Sequence, residues 1–130
     1  VPEADAWEQS LEVPYDDVDR AASFYREVFG WQVQPVPELQ YHFVTTGPVS
    51  EEGMPTEPGF INGGMFARQP NLAQPVITIG VDDIDDALRQ IEARGGSVVE
   101  PKMQGGDMGF AAYFRDCEGN LLGLWQSASG

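Results

Sequence analysis

The sequence predicts an α+β fold built from two tandem copies of one βαβββ unit. The segment 16–21 (DDVDRA) is echoed by 82–87 (DDIDDA), at an offset of 66 residues in a chain of 130. In both copies a short alternating apolar run precedes the aspartates, and apolar residues at helical spacing follow them. A repeat of this kind indicates an internal duplication, which we place at about 7–67 and 75–127 within a single domain, 1–130.

Each copy contains one predicted helix, directly after its aspartates. The first helix is expected over 18–29, because its apolar residues fall on one face at intervals of three and four. Asp16 or Asp17 can cap its start, and Gly30 ends it. The second helix is expected over 84–94 for the same reasons, and we expect both apolar stripes to pack in the core.

Strands are expected on both sides of each helix. The opening strands have alternating apolar residues, at Leu11 and Val13 in the first copy and within 77–81 in the second. Glycine and proline divide the rest into six more runs, at about 31–36, 41–46, 60–67, 97–100, 110–115 and 121–126. Residues 116–120 (DCEGN) predict a turn, and 47–59 predict a surface loop.

The charge balance restricts the partners that the protein can have. Acidic residues number 21 against 7 basic ones, for a net charge of −14, and Lys102 is the only lysine. Nucleic acids and anionic membranes need a basic surface that replaces counterions, so we expect neither as a partner. Ordinary acidic solubility and adaptation to high salt both explain this composition, and the scarcity of lysine favours high salt.

The sequence also indicates a cytoplasmic protein. No stretch approaches the about 20 apolar residues that span a bilayer. The N-terminal residues 1–5 (VPEAD) form neither the basic nor the apolar region of a signal peptide. The single cysteine, Cys117, has no second cysteine with which to form an internal disulfide, and its place in the predicted turn favours a plain turn residue.

Three motifs together carry a family resemblance. They are the strand-to-helix entry 13–17 (VPYDD), the helix end 23–31 (SFYREVFGW) and the closing turn 115–120 (RDCEGN). With two βαβββ copies in this order, the chain resembles the vicinal oxygen chelate superfamily of glyoxalases, bleomycin-resistance proteins and dioxygenases. The resemblance covers nearly the whole chain. It implies that each copy curls its mostly antiparallel sheet into half of a cup, with the helices on the convex side.

The resemblance also implies where a metal would be held. The family usually holds a divalent metal with four inward side chains, and their positions correspond here to Ser10, Val76, Gly123 and one of Gly63 or Gly64. Valine and glycine have no donor atoms, and serine alone is a weak ligand for transition metals. The sequence therefore predicts no metal and no cofactor. The alternatives are an alignment slipped by one residue, or a divalent metal held by substitutes such as Glu12 and His42.

Strand alternation identifies the side chains that should line the cup. Leu11 and Val13 belong to the helix side of the first strand, which leaves Ser10 and Glu12 on the other side. The same reasoning on the other strands gives a predicted ligand-binding set of Ser10, Glu12, Val76, Thr78, Gly123 and Trp125. Such a lining suits an organic ligand with a flat apolar body and a positive or hydrogen-bond-donor group.

Two polar side chains are candidates for chemistry. Glu12 on the concave side is either a ligand contact, with a possible role as base, or the partner of an arginine. The arginines considered for that ion pair are Arg26, Arg68 and Arg115. His42 is a candidate base or ligand contact, and its alternative is an ordinary strand histidine that is satisfied or exposed.

Aromatic and loop residues leave further alternatives open. Trp125 is either a stacking platform for a ligand or a wall of the core. The pattern does not fix whether Phe110 or Tyr113 faces the cup. The loop 105–109 lies where the family often closes its pocket, and it either contributes Met108 and backbone contacts or is plain surface.

These observations favour reversible binding of a small, partly aromatic or cationic molecule in a metal-free cup, similar to the antibiotic-sequestering branch of the family. The first alternative is an enzyme, either a metal-dependent lyase, isomerase or dioxygenase, or a metal-free one with Glu12 as base. The second is a structural or regulatory module without a small-molecule ligand. The fold supports all of them. The resemblance further implies a homodimer.

Overall fold

The computed structural model describes residues 9–36, 41–48, 61–105 and 109–128. Contacts divide the chain into two compact units, one over 10–75 and the other from residue 76 onward. We call them the first and the second module. The predicted loop 47–59 lies outside the described residues beyond residue 48, and so does the tip of the 105–109 loop, including Met108.

The first module is a four-stranded sheet with one helix. Its elements are β1 (Gln9–Tyr15), α1 (Val18–Phe29), β2 (Gln32–Val36), β3 (Tyr41–Thr45) and β4 (Gly63–Ala67). The strand order is β2-β3-β4-β1. The β1–β4 pair is parallel, and the other two pairs are antiparallel.

The second module repeats this arrangement. Its elements are β5 (Val76–Gly80), α2 (Ile84–Ala93), β6 (Ser97–Gln104), β7 (Gly109–Arg115) and β8 (Leu121–Ser127). The strand order is β5-β8-β7-β6, with β5 and β8 parallel and the other pairs antiparallel. The predicted α+β fold of two tandem βαβββ modules is confirmed.

Both helices begin at an aspartate cap, as the repeat predicts. The side chain of Asp17 accepts a hydrogen bond from the backbone N–H of Arg20 (3.1 Å), and that of Asp83 accepts one from Asp86 (3.3 Å). Each bond satisfies one of the N–H groups that the first helical turn leaves unpaired. Gly30 ends α1 in the left-handed conformation (φ 74°). No helix among the described residues is long and apolar enough to cross a membrane.

Each helix packs against one side of the sheet of its own module. The buried cluster of the first module is Ala22, Val33, Val44 and Met65. The cluster of the second module is Ile84, Leu88, Ala112, Phe114 and Leu124. Because side chains alternate along a strand, these clusters identify the helix-facing side of each sheet, and the residues between them define the helix-free face.

The last turn of α1 departs from the prediction that its whole apolar stripe is core. Val28 and Phe29 are 57 % and 60 % exposed. The chain turns back at Gly30, and Trp31 stacks on Tyr25 with ring centroids 4.6 Å apart. Trp31 thus packs with the core cluster beyond the helix end, and the final apolar residues of the stripe lie at the surface.

Strand β6 is longer than the predicted run of 97–100, because it continues through Pro101 to Gln104. Proline lacks the N–H that a central strand needs, which is why the sequence pattern breaks there. The break does not end the strand, because β6 lies at the edge of the sheet of its module and its pairing with β7 shifts register between Glu100 and Met103.

Candidate functional site

The helix-free face of the first module carries Glu12 at its centre. Glu12 on β1 is paired in register with Gly64 on β4, and Gly64 is paired with Phe43 on β3. Val13 and Met65, the next residues along β1 and β4, pack in the helix-facing cluster, so Glu12 and Gly64 point the other way. Glu12 is 7 % exposed, which makes it a buried carboxyl group.

Tyr41 lies over Gly64 on this face. A Cβ atom at Gly64 would overlap the phenol of Tyr41, so only glycine leaves room for that ring. The ring of Tyr41 also meets Phe43 edge to face, with centroids 6.0 Å apart. A carboxyl group, a phenol and a phenyl ring therefore surround one glycine. Tyr41 was not among the residues predicted from the sequence, although its alternation with the core residue Val44 assigns it to this face.

The other predicted residue of this module, Ser10, lies two residues before Glu12 on the same face. It is partly exposed and lies beyond the last paired residues of β1 and β4, Leu11 and Gly63. The structure places it next to Glu12 along the strand, at the margin of the face rather than at Gly64.

The three arginines considered as partners of Glu12 all make other bonds. Arg26 donates to the carbonyl oxygen of Val33 (2.8 Å). Arg68 pairs with Asp16, with Nε and Oδ1 3.0 Å apart. Arg115 donates to the carbonyl oxygen of Gly119 (2.8 Å).

His42 lies on the opposite side of the sheet from Glu12. It is paired in register with the core residue Met65, and its ring meets that of Tyr15 edge to face at 5.9 Å. Its Nδ1 atom is buried without a hydrogen-bond partner among the described residues. The structure therefore does not bring the two candidate residues for chemistry, Glu12 and His42, to one face.

In the second module, the helix-free face contains a row of paired residues across all four strands. The row is Thr78 on β5, Gly123 on β8, Tyr113 on β7 and Glu100 on β6. A Cβ atom at Gly123 would lie 2.8 Å from Oγ1 of Thr78 and 3.2 Å from a ring carbon of Tyr113. Thr78 and Tyr113 therefore meet in the space that the side chain of residue 123 would fill.

Tyr113 is the aromatic residue of β7 that faces away from the helix, because it is paired with Gly123 on the helix-free face. Phe110 packs against the helix-facing cluster, with Nζ of Lys102 4.6 Å from the centre of its ring. The predicted residue Val76 shares the face of Thr78 and is 2 % exposed.

Trp125 belongs to the next row, which runs through Gly80, Trp125, Ala111 and Met103. Its indole is partly exposed. Cβ atoms at Gly105 and Gly109 would lie 2.9 Å and 2.8 Å from ring carbons of the indole. The backbone N–H of Gly105 donates to the carbonyl of Gly109 (2.8 Å) where the loop of the β6–β7 hairpin joins its strands. Trp125 therefore packs against the loop end of this hairpin.

The positions that correspond to the metal ligands of the family do not fit a metal. Val76, Gly123 and Gly64 present no donor atom, and the hydroxyl of Ser10 alone is a weak ligand. The phenol of Tyr41 takes the space at Gly64, and Thr78 and Tyr113 crowd the space at Gly123. Within the described ranges, no three or more side chains of His, Cys, Asp or Glu group closely enough to hold an ion. The donor chemistry at these positions thus disagrees with a resident metal.

The turn between β7 and β8 is held by Asp116. Its Oδ1 accepts from the backbone N–H groups of Glu118 and Asn120 (both 2.9 Å), and its Oδ2 accepts from the amide of Asn120 (3.1 Å). These bonds, chiefly those from Asn120, hold the pKa of Asp116 below its ordinary value. Cys117 is exposed in this turn and lines an apolar hollow of about 250 Å³ at the end of α2.

Comparison with known proteins identifies the family. The model of the Glyoxalase/Bleomycin resistance protein/Dioxygenase superfamily matches residues 9–124. The chain belongs to this superfamily. The match includes both modules and all the predicted ligand-binding residues except Trp125, which lies one residue beyond its end.

Two curated relatives show different lengths. A "Glyoxylase-like domain-containing protein" of Didymella fabae is 29 % identical over 115 residues, which cover 85 % of each chain. "Putative glyoxylase CFP32" of Mycobacterium bovis is 31 % identical over 116 residues, which cover 85 % of this chain and 42 % of the relative. The chain thus spans less than half the length of the mycobacterial relative.

A solved structure shows the same fold. A glyoxalase/bleomycin resistance protein/dioxygenase superfamily member from Vibrio splendidus aligns with a TM-score of 0.56 and 14 % sequence identity. The alignment covers 92 % of this chain and 97 % of the Vibrio protein. At this identity the likeness is evidence for the fold alone.

Proposed function

We propose that this protein reversibly binds a small organic molecule with a flat apolar part and a positive or hydrogen-bond-donor group, and that it does so without a metal. The proposal is supported by the side chains at and around the positions that correspond to the metal ligands of the family. Val76 and Gly123 offer no donor atoms, whereas Thr78 and Tyr113 meet at Gly123 and Trp125 lies one row further along the same face.

Trp125 supplies the surface on which a flat ligand stacks. Its neighbours in the cross-strand row, Gly80 and Ala111, have no side chain larger than a methyl group. Aromatic stacking contributes about 0.5–1.5 kcal/mol beyond the apolar area that is buried. Thr78 and Tyr113 lie in the adjacent row of the same face.

Binding is tested with a thermal-shift screen of aromatic and cationic compounds, followed by calorimetric titration of those that raise the melting temperature. We expect Trp125→Leu to weaken binding about tenfold, because it removes a stacking contribution of ~1.4 kcal/mol. Phe24→Leu is the matched control, since Phe24 is a 54 % exposed aromatic residue on α1. A screen in which no compound shifts the melting temperature would favour the structural or regulatory module instead.

The metal-free part of the proposal has a separate test. Protein purified without chelator is expected to contain no stoichiometric transition metal, because among the corresponding positions only Ser10 has a donor atom, and one serine hydroxyl is a weak ligand. Elemental analysis against protein concentration measures this directly. A tightly held metal near one equivalent would overturn the proposal and support a lyase, isomerase or dioxygenase.

The homodimer that the family resemblance implies stays a prediction. Sedimentation velocity over a range of protein concentrations tests it, with and without a bound compound. Dimers that form only with the compound present would connect assembly to the binding proposed above.

A further inference from the structure

We infer that two copies of this chain associate through the outer side of α1, as an antiparallel pair of α1 helices around a two-fold axis. The residues that form this surface are Arg20, Phe24, Glu27 and Val28, which we call the α1 stripe. The surface is independent of the ligand binding proposed above, and it gives the predicted homodimer a defined interface.

The α1 stripe lies on the side of the helix away from its sheet. Its members follow one another at intervals of three, four and one residues, which places them along one side of a helix. Ala22 and Tyr25, on the other side, pack in the core cluster of the first module. All members of the stripe are exposed, Phe24 to 54 % and Val28 to 57 %. The stripe therefore presents a phenyl ring and a valine to solvent, between two charged residues.

The equivalent stripe of α2 shows that the fold does not require an aromatic ring there. At the offset of 66 residues, Phe24 corresponds to Gln90 and Arg20 corresponds to Asp86. Within α2, Asp86 accepts hydrogen bonds from Gln90 (2.9 Å) and from Arg89 (3.2 Å). The second module thus has polar residues that bond to one another at these positions, whereas the first module has an exposed apolar surface.

The two charged residues of the α1 stripe are not paired within the module. Arg20 and Glu27 make no side-chain hydrogen bond or ion pair with another described residue. They lie two helical turns apart, on either side of Phe24. A two-fold axis between Ser23 and Phe24 places Arg20 of each copy opposite Glu27 of the other, with both Phe24 rings beside the axis. The stripe is therefore complementary to itself, as a symmetric interface requires.

The charge distribution also favours α1 as the point of contact. The chain has a net charge of −14, so two copies repel each other over most of their surfaces. In α1, Asp19 and Glu27 balance Arg20 and Arg26, whereas α2 has three acidic residues and one basic residue. A helix of 12 residues is about 18 Å long, which is short for an interface that buries about 800 Å² per partner. We therefore expect a weak and reversible dimer.

The experiment reverses the two charges separately and together. The full chain and its variants are compared by sedimentation velocity over a range of protein concentrations at constant ionic strength. Arg20→Glu and Glu27→Arg should each weaken association at least about tenfold, because each turns both ion pairs into like-charge contacts. The double variant should associate like the wild type. An equimolar mixture of the two single variants should do so as well, because mixed dimers again place arginine opposite glutamate.

Net charge alone predicts a different result for one of these variants. Glu27→Arg makes the chain less negative, so it would strengthen association if repulsion between whole chains decided the outcome. Glu92→Arg and Arg94→Glu are the matched controls, since they make the same changes at exposed positions of the α2 segment. Each control should change the dissociation constant less than about twofold.

Phe24→Ser tests the apolar part of the interface without changing any charge. It should weaken association several-fold, and circular dichroism should show an intact fold because Phe24 is exposed. A chain that stays monomeric at every concentration would overturn the inference and leave the proposed ligand binding standing. A dimer that responds neither to the charge reversals nor to Phe24→Ser would also overturn it, because its interface would lie elsewhere.

Discussion

The two modules use one arrangement at the centre of their helix-free faces and differ in its charge. In the first, Glu12 on the opening strand lies beside Gly64, and the phenol of Tyr41 covers the glycine. In the second, Thr78 lies beside Gly123, and the ring of Tyr113 contacts it. The shared arrangement of strand, glycine and tyrosine therefore accommodates either a carboxyl group or a hydroxyl group at the same position.

The tyrosines reach their glycines by different routes. Tyr113 is paired directly with Gly123 across the strands. Tyr41 is displaced by one row, because Phe43 occupies the position opposite Gly64. The first module therefore places two aromatic rings at its glycine, where the second places one.

Gly63→Ala should lower the free energy of unfolding more than the other substitutions, and it tests a position at which the two modules differ. A Cβ atom at Gly63 would overlap the backbone carbonyl of Leu11, so β1 and β4 would have to separate. The corresponding residue of the second module, Leu122, has a side chain that packs on the core. We expect the free energy of unfolding to fall by about 3 kcal/mol or more in urea titrations. A loss below about 1 kcal/mol would contradict the close approach of these strands.

The alanine variants of the two central glycines test the comparison directly. Gly123→Ala should cost about 2 kcal/mol, because Thr78 and Tyr113 are both buried and cannot move aside easily. Gly64→Ala should cost less, about 1 kcal/mol, because the partly exposed Tyr41 can swing outward. Urea denaturation of both variants measures the difference. If Gly64→Ala is the more damaging of the two, Tyr41 is held as firmly as Tyr113.

The helix caps should behave alike, because the repeat preserves them. Asp17→Ala and Asp83→Ala each remove a side chain that accepts from the first helical turn, and each should cost about 1 kcal/mol. Asp19→Ala is the control, since Asp19 lies in the first turn of α1 without capping it and is expected to cost only about 0.3–0.5 kcal/mol. Thermal melts followed by circular dichroism suffice. If Asp17→Ala and Asp83→Ala reduced stability by clearly different amounts, the two helix caps would not be equivalent.

The smallest expected change in stability comes from Asp116, in the turn between β7 and β8. The hydrogen bonds from Asn120 and Glu118 lower the pKa of Asp116 in the folded state. The ionised carboxylate therefore stabilises the fold above the unfolded-state pKa, and this stabilisation is lost as pH falls through the folded-state pKa. Asp116→Asn should lower the melting temperature at neutral pH, and the gap to wild type should narrow below about pH 4. A gap that widens in acid would contradict this origin.

The sequence was sufficient for features that depend on neighbours along the chain. The aspartate at the start of α1 and the end of α1 at Gly30 follow from local hydrogen bonding and backbone conformation, although the sequence left the choice between Asp16 and Asp17 open and the structure identifies Asp17 as the cap. The helix-free orientation of Glu12 and Thr78 follows from strand alternation.

Features that depend on pairing between distant strands could not be predicted in the same way. Tyr41 covers Gly64 only because β3 and β4 pair in one particular register. Strand β7 carries aromatic residues on both faces, so its pattern could not orient Tyr113 before the pairing with Gly123 was known. The continuation of β6 past Pro101 depends on its edge position, which is a property of the sheet.

The packing of Trp125 on Gly105 and Gly109 gives the protein an internal optical reporter. An indole emits at a wavelength and intensity that depend on the groups around it, and here those groups include the two ends of the loop between β6 and β7. The chain has only two other tryptophans, Trp7 and Trp31. With both replaced by phenylalanine, the remaining emission would follow the position of the β6–β7 hairpin without any attached label.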